Sequence, residues 1–133
     1  MNTKLVLTSS AILLGILGVL LSFLPDEILI FLDNENSQFP SFFLQISGAL
    51  YLGFAMMNWM AKGAHIGGIY NRPIAIGNFM HFGIGALTLL KVVSKIDQHP
   101  IVFIILTMIY CVLAIVFAFI FFNHPSTIKT KLR

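Results

Sequence analysis

Charge is what this sequence has least of: 10% of its 133 residues are Asp, Glu, Lys or Arg, where a soluble domain carries about 25%. So few charges cannot cover a water-exposed globule, and a soluble fold is excluded. Cysteine is almost missing. Cys111 stands alone, which rules out an intramolecular disulfide and leaves the redox compartment unread. It lies in an apolar run with no His or acid beside it, and Ser9 and Ser10 have no local base, so nothing supports an activated nucleophile. Paired carboxylates are absent from every apolar run, and no run holds two residues of the His, Asp and Glu kind. No catalytic residue, metal site or cofactor is therefore expected.

What the chain does have is hydrophobic length. It is 58% hydrophobic with a mean hydropathy of +0.93, and four runs approach or exceed the roughly 20 apolar residues needed to cross a bilayer: 5–24, 42–61, 74–90 and 101–122. Short links between consecutive runs make them up-and-down neighbours. The expected fold is all-α, one integral membrane domain over 1–133 built as a four-transmembrane-helix up-and-down bundle, and the lipid bilayer is its first partner. The first run follows Lys4 as a signal peptide would, but it is longer than an ordinary signal core and ends in Ser22-Phe23-Leu24-Pro25 with no small-residue cleavage site. It is read as an uncleaved span.

The formal charge of +3 calls for no nucleic acid once its placement is considered. All five acids, Asp26, Glu27, Asp33, Glu35 and Asp97, fall in the first and third connections. Lys4, Lys62, Arg72, Lys129, Lys131 and Arg133 fall at the N-terminus, in the second connection and in the C-terminal tail. By the positive-inside rule this alternation puts both termini in the cytoplasm of a cell membrane, of bacterial inner-membrane type. Lys91 is expected to snorkel to the outer interface and Trp59 to anchor the inner one.

The connections are short and carry turn signals. Pro25 followed by Asp26 and Glu27 is a helix start, and the apolar stretch to Leu32 predicts a short interfacial helix in the first outer loop. Residues 34–40 are expected to loop back into the second span. The second connection, KGAHIGGIYNRP, lacks the Lys-Ser/Thr of a phosphate loop and the spacing of a dinucleotide site. It reads as a flexible turn, with Asn71 a cap and Pro73 in the first turn of span three. Pro100 restarts the chain into span four.

Polar residues inside the spans are the informative ones, because at membrane depth they turn toward other helices or a cavity. Helical spacing puts Ser47, Tyr51, Phe54 and Asn58 on one face of span two, and Asn78, His81, Gly85 and Thr88 on one face of span three. Counting about 1.5 Å per residue, Asn58, Asn78 and His81 lie about 6, 8 and 12 Å from the cytoplasmic ends of their spans and are expected to share one polar site. Tyr51 and Tyr110 fall near mid-bilayer. His81 is the one group there that changes charge easily near neutral pH. It reads either as a satisfied neutral imidazole or as a relay or ligand contact. In span one, Thr8, Ala11, Gly15, Gly18 and Ser22 form a stripe of small residues suited to close helix packing, with Gly48 and Gly85 in similar roles on spans two and three.

The stretch Gly67-Gly68-Ile69-Tyr70-Asn71-Arg72-Pro73-Ile74-Ala75 is similar to the glycine-rich turn and the Arg-Pro-x-Ala helix start of DoxX-like small membrane proteins, and Gly48-Ala49-Leu50-Tyr51-Leu52-Gly53 resembles their second span. The resemblance covers about 40 residues plus the four-span layout. It implies an accessory partner of membrane redox enzymes or quinone-linked sulfur oxidation and carries over no catalytic residue; the acidic first connection and His81 lie outside the pattern.

The sequence therefore points to a small non-enzymatic membrane protein. It fits an accessory or assembly subunit of a larger complex or homo-oligomer, or a binder of a small hydrophobic ligand between spans two and three. The alternatives are a small-solute or proton-coupled transporter and a quinone-linked subunit of a redox complex. The orientation is directly testable: cysteines introduced at Asn36 and Gln98 label from outside the cell and one at Thr130 does not, and the opposite pattern inverts the topology.

Overall fold

The computed structural model describes residues 2–32, 38–63, 72–95 and 99–123. The expected loop over 34–37, the glycine-rich turn at 64–71, Asp97 and the C-terminal tail lie outside the described residues. Among the described residues there are five helices: α1 (Thr3–Phe23), α2 (Pro25–Phe31), α3 (Gln38–Ala61), α4 (Arg72–Val93) and α5 (Pro100–Asn123). All but α2 are long and apolar enough to cross a membrane. The all-α bundle expected from the hydrophobic runs is what the chain forms.

Local chemistry sets the helix ends. The Asn2 side chain accepts from the Leu5 amide at 3.4 Å and caps α1. Pro25 occupies the first turn of α2, followed by Asp26 and Glu27, whose charges suit a helix N-terminus. α3 begins earlier than the sequence suggests, so Pro40 sits in its first turn rather than in a loop. A proline is accepted there because the first amides of a helix have no intrahelical acceptor to lose. α5 starts at Pro100, as expected, immediately after His99, whose φ of 48° reverses the chain. The His99 ring stacks on Phe31 of α2 with centroids 3.8 Å apart, tying the short helix to the link between α4 and α5.

Contacts pair α1 with α3 and α4 with α5. Gly15 of α1 lies by Ala55 of α3 and Gly18 lies by Leu52 and Gly48. The descending match of positions shows that the two helices run antiparallel. In the second pair, Phe82 stacks on Phe117 with centroids 5.6 Å apart, and Phe79 meets Phe122 edge-on. The pairs then join through α3 against α4 and α1 against α5, closing a four-membered ring around a core that includes Leu7, Leu14, Phe82, Phe117 and Ile120.

Glycine decides how close each pair comes. A Cβ on Gly18 would lie 2.8 Å from Leu52 Cγ and 2.9 Å from the Leu52 nitrogen, and one on Gly48 would lie 2.8 Å from the Gly18 carbonyl oxygen and collide with Ser22 Oγ. Backbone meets backbone at this crossing, the close approach that lipid-embedded helices use in place of hydrophobic expulsion. Gly85 is likewise covered by the Tyr110 ring: a Cβ there would lie 2.6 Å from its Cε1. Gly15 differs, since its added Cβ would meet only Ala55 Cβ at an ordinary 3.8 Å. The stripe on α1 is thus a packing surface, with its tightest point at Gly18.

The two glycines should separate on mutation. Gly18→Ala is expected to lower the melting temperature of the detergent-solubilised protein, at about 1–3 kcal/mol of overpacking, whereas Gly15→Ala leaves it near wild type. Equal melting of the two variants would contradict the crossing described.

Candidate functional site

Two polar constellations occupy the α3–α4 seam, and they differ in kind. The first is a reciprocal pair of amides. Asn58 Nδ2 donates to Asn78 Oδ1 at 2.7 Å, and Asn78 Nδ2 donates to Asn58 Oδ1 at 2.6 Å. Both nitrogens also have a second acceptor: Asn58 reaches Ser10 Oγ on α1 at 3.1 Å, and Asn78 reaches the Ile74 carbonyl at 2.9 Å. Ser10 passes its own proton to the Leu7 carbonyl at 3.0 Å. All three side chains are 0% exposed. Each amide hydrogen has an acceptor and each amide oxygen a donor, so this cluster has no unsatisfied donor left for a ligand. Its chemistry is that of a fastener joining α1, α3 and α4.

Position explains why these residues meet. Asn58 lies near the end of α3 and Asn78 near the start of α4, about 5 and 9 Å from the helix ends at 1.5 Å per residue, and the helices are antiparallel. Ser10 was not singled out by its spacing, although it shares the inward side of α1 with Leu7, Ala11 and Leu14. A serine four residues before a buried leucine and three after another was the available signal.

The second constellation is aromatic and centres on His81. Its ring stacks on Phe54 with centroids 4.8 Å apart and meets Tyr51 and Phe82 edge-on at 5.1 and 5.0 Å. Its Nε2 lies 3.5 Å from the hydroxyl of Tyr110, at the outer limit of a hydrogen bond. Tyr110 is buried. The sequence led us to expect His81 beside the asparagines. Among the described residues no hydrogen bond joins it to either one, because Asn58, Asn78, Ser10 and the Ile74 carbonyl satisfy one another and His81 falls one turn deeper.

Ser47 and Thr88 do not join either group. Each hydroxyl donates to the carbonyl one turn back in its own helix, Phe43 at 2.8 Å and Ile84 at 3.0 Å. Trp59 sits under Lys62, whose Nζ lies over its ring, at the end of α3 where an interfacial anchor belongs. Cys111 is half-buried on α5. Among the described residues no group of three His, Cys, Asp or Glu side chains could hold a metal.

No family model, curated protein or solved structure matches this chain. What the fold and site define is a class: a multi-pass membrane protein whose helices are fastened by buried side-chain amides, with a histidine set in an aromatic cage.

The amide pair gives a sharp energetic expectation. Replacing Asn58 alone with Leu leaves the Asn78 amide and the Ser10 hydroxyl short of partners, which costs about 1–3 kcal/mol, while Asn58→Leu with Asn78→Leu removes both members together and costs less than the sum. A double-mutant cycle on thermal unfolding in detergent should return a coupling of about 0.6–1.7 kcal/mol, the range for side-chain hydrogen bonds in lipid. Strict additivity would show that the two amides act independently.

Proposed function

We propose that this protein is a non-enzymatic membrane component that binds a small hydrophobic ligand with a hydrogen-bonding head at the α3–α4 seam, with His81 as its polar contact. The observation that carries the reading is the contrast between the two constellations. Asn58 and Asn78 have spent their hydrogen-bonding capacity, whereas half-buried His81 has, among the described residues, only the long polar contact to Tyr110. Phe54 and Tyr51 offer aromatic faces beside it, and sites for small molecules combine an apolar lining with a few placed polar groups. An accessory role beside a larger membrane complex, of the kind the DoxX-like turn implies, is compatible with the same site. In this reading both termini face the cytoplasm and the membrane is a bacterial inner membrane.

A second reading, proton-coupled transport, is favoured by one observation: the titratable His81 ring lies within 3.5 Å of the Tyr110 hydroxyl, with Tyr51 edge-on beside it. Flux into liposomes containing only this protein would support it.

Purification in a mild detergent followed by mass spectrometry of bound small molecules tests the ligand reading. Wild type should retain one apolar species, His81→Gln should retain part of it because an amide still donates and accepts, and His81→Leu should lose it while keeping its helical content. A wild-type protein that carries only bulk lipid, identical to that of His81→Leu, would overturn the proposal.

A further inference from the structure

On the face of the second helix pair away from His81, α4 and α5 leave an open groove of about 420 Å³. Its walls are almost wholly apolar and include Phe79, Met80, Gly83 and Leu87 of α4 with Cys111 and Ile115 of α5. Small residues make it. Gly83 gives no side chain, and a Cβ there would meet only Phe79 at 3.9 Å.

The groove is not symmetric along its length. Toward Arg72 it is floored by Phe79, whose ring packs edge-on against Phe122. In the other direction it runs past Leu87 toward Lys91, which lies one helical turn beyond on the same side of α4, about 6 Å along the axis at 1.5 Å per residue. Lys91 is exposed in the last turn of α4 and makes no ion pair among the described residues. Helical side chains leave the backbone leaning toward the helix N-terminus, so the Lys91 stem starts back over Leu87 and the groove, while the Arg72 stem leans away from it. A long apolar trough therefore ends under the unpaired ammonium of Lys91 at the depth where spans meet the headgroups, with exposed Lys95 one turn further on.

We infer that this groove is a binding site for one anionic phospholipid, with an acyl chain lying between α4 and α5 and the phosphate on Lys91. Charge complementarity selects the ligand class. A phosphodiester satisfies the ammonium and its tail fills the trough, whereas a second copy, which could offer only the exposed carboxylates of Asp26 and Glu27 on α2, has no apolar tail to lie in it. This site is separate from the one around His81 and stands without it.

The test is native mass spectrometry of the full chain, delipidated in mild detergent and given equal amounts of phosphatidylglycerol and phosphatidylcholine. Wild type should hold one phosphatidylglycerol in preference to phosphatidylcholine. Lys91→Gln should reduce that retention about 5-fold, the worth of one basic residue at a lipid surface, while Arg72→Gln leaves it unchanged. Gly83→Leu, which fills the trough where a Cβ is tolerated, should abolish it. Equal retention of the two lipids, or loss caused equally by Lys91→Gln and Arg72→Gln, would overturn the inference. So would a dimer that Gly83→Leu converts to monomer, since the groove would then belong to a second copy.

Discussion

The bundle depends on one pair of side chains, the reciprocal amides of Asn58 and Asn78. Side-chain amides buried at membrane depth have no water to return to, and an unpaired one is costly there. The amide of Asn58 is satisfied only when α1 supplies Ser10 and α4 supplies Asn78. That requirement fixes the rotation of three helices about their own axes. Large apolar side chains fix it poorly, since in lipid one such face is nearly as good as another; the glycine crossing adds its own constraint on α1 and α3 alone.

Rotation in turn determines what each helix presents elsewhere. With Asn78 turned inward, Phe82 and Ala86 point into the core, Gly85 lies under Tyr110, and His81 stands at the seam among Tyr51, Phe54 and Phe82. The same rotation turns Met80, Gly83 and Leu87 outward to wall the α4–α5 groove. The aromatic cage and the groove are thus two sides of one helix set by one hydrogen-bonded pair.

The fold was legible because hydrophobic length dominates everything else in a chain with so little charge. Runs of that length have few alternatives to crossing a bilayer, and Pro25 with two acids after it marked α2. Helical spacing also made the inward strip Asn58, Asn78 and His81 readable as polar residues on facing helices. Their pairing was harder to read, since residues one turn apart on the same strip can choose different partners, and Tyr110 on a fourth helix could claim His81 only once α5 was in place. Ser47 and Thr88 misled for a related reason: a hydroxyl can satisfy itself on its own helix backbone, so membrane depth does not oblige it to seek a neighbour. Pro40 was placed in a loop because its compatibility with a first helical turn depends on where the helix begins, which composition fixes poorly.

The two kinds of fastening sit at different levels of the bundle. Ser10, Asn58 and Asn78 lie toward the ends of their helices that carry Lys4, Lys62 and Arg72, whereas the backbone crossing of Gly18 with Gly48 lies about 12 to 15 Å further along α1 and α3 at 1.5 Å per residue. Hydrogen bonds lose their advantage wherever water can enter and offer substitutes, while interlocked backbones give water nothing to replace. The two levels therefore answer differently to hydration: the amide fastening holds for as long as its burial keeps water out, and the glycine crossing holds either way.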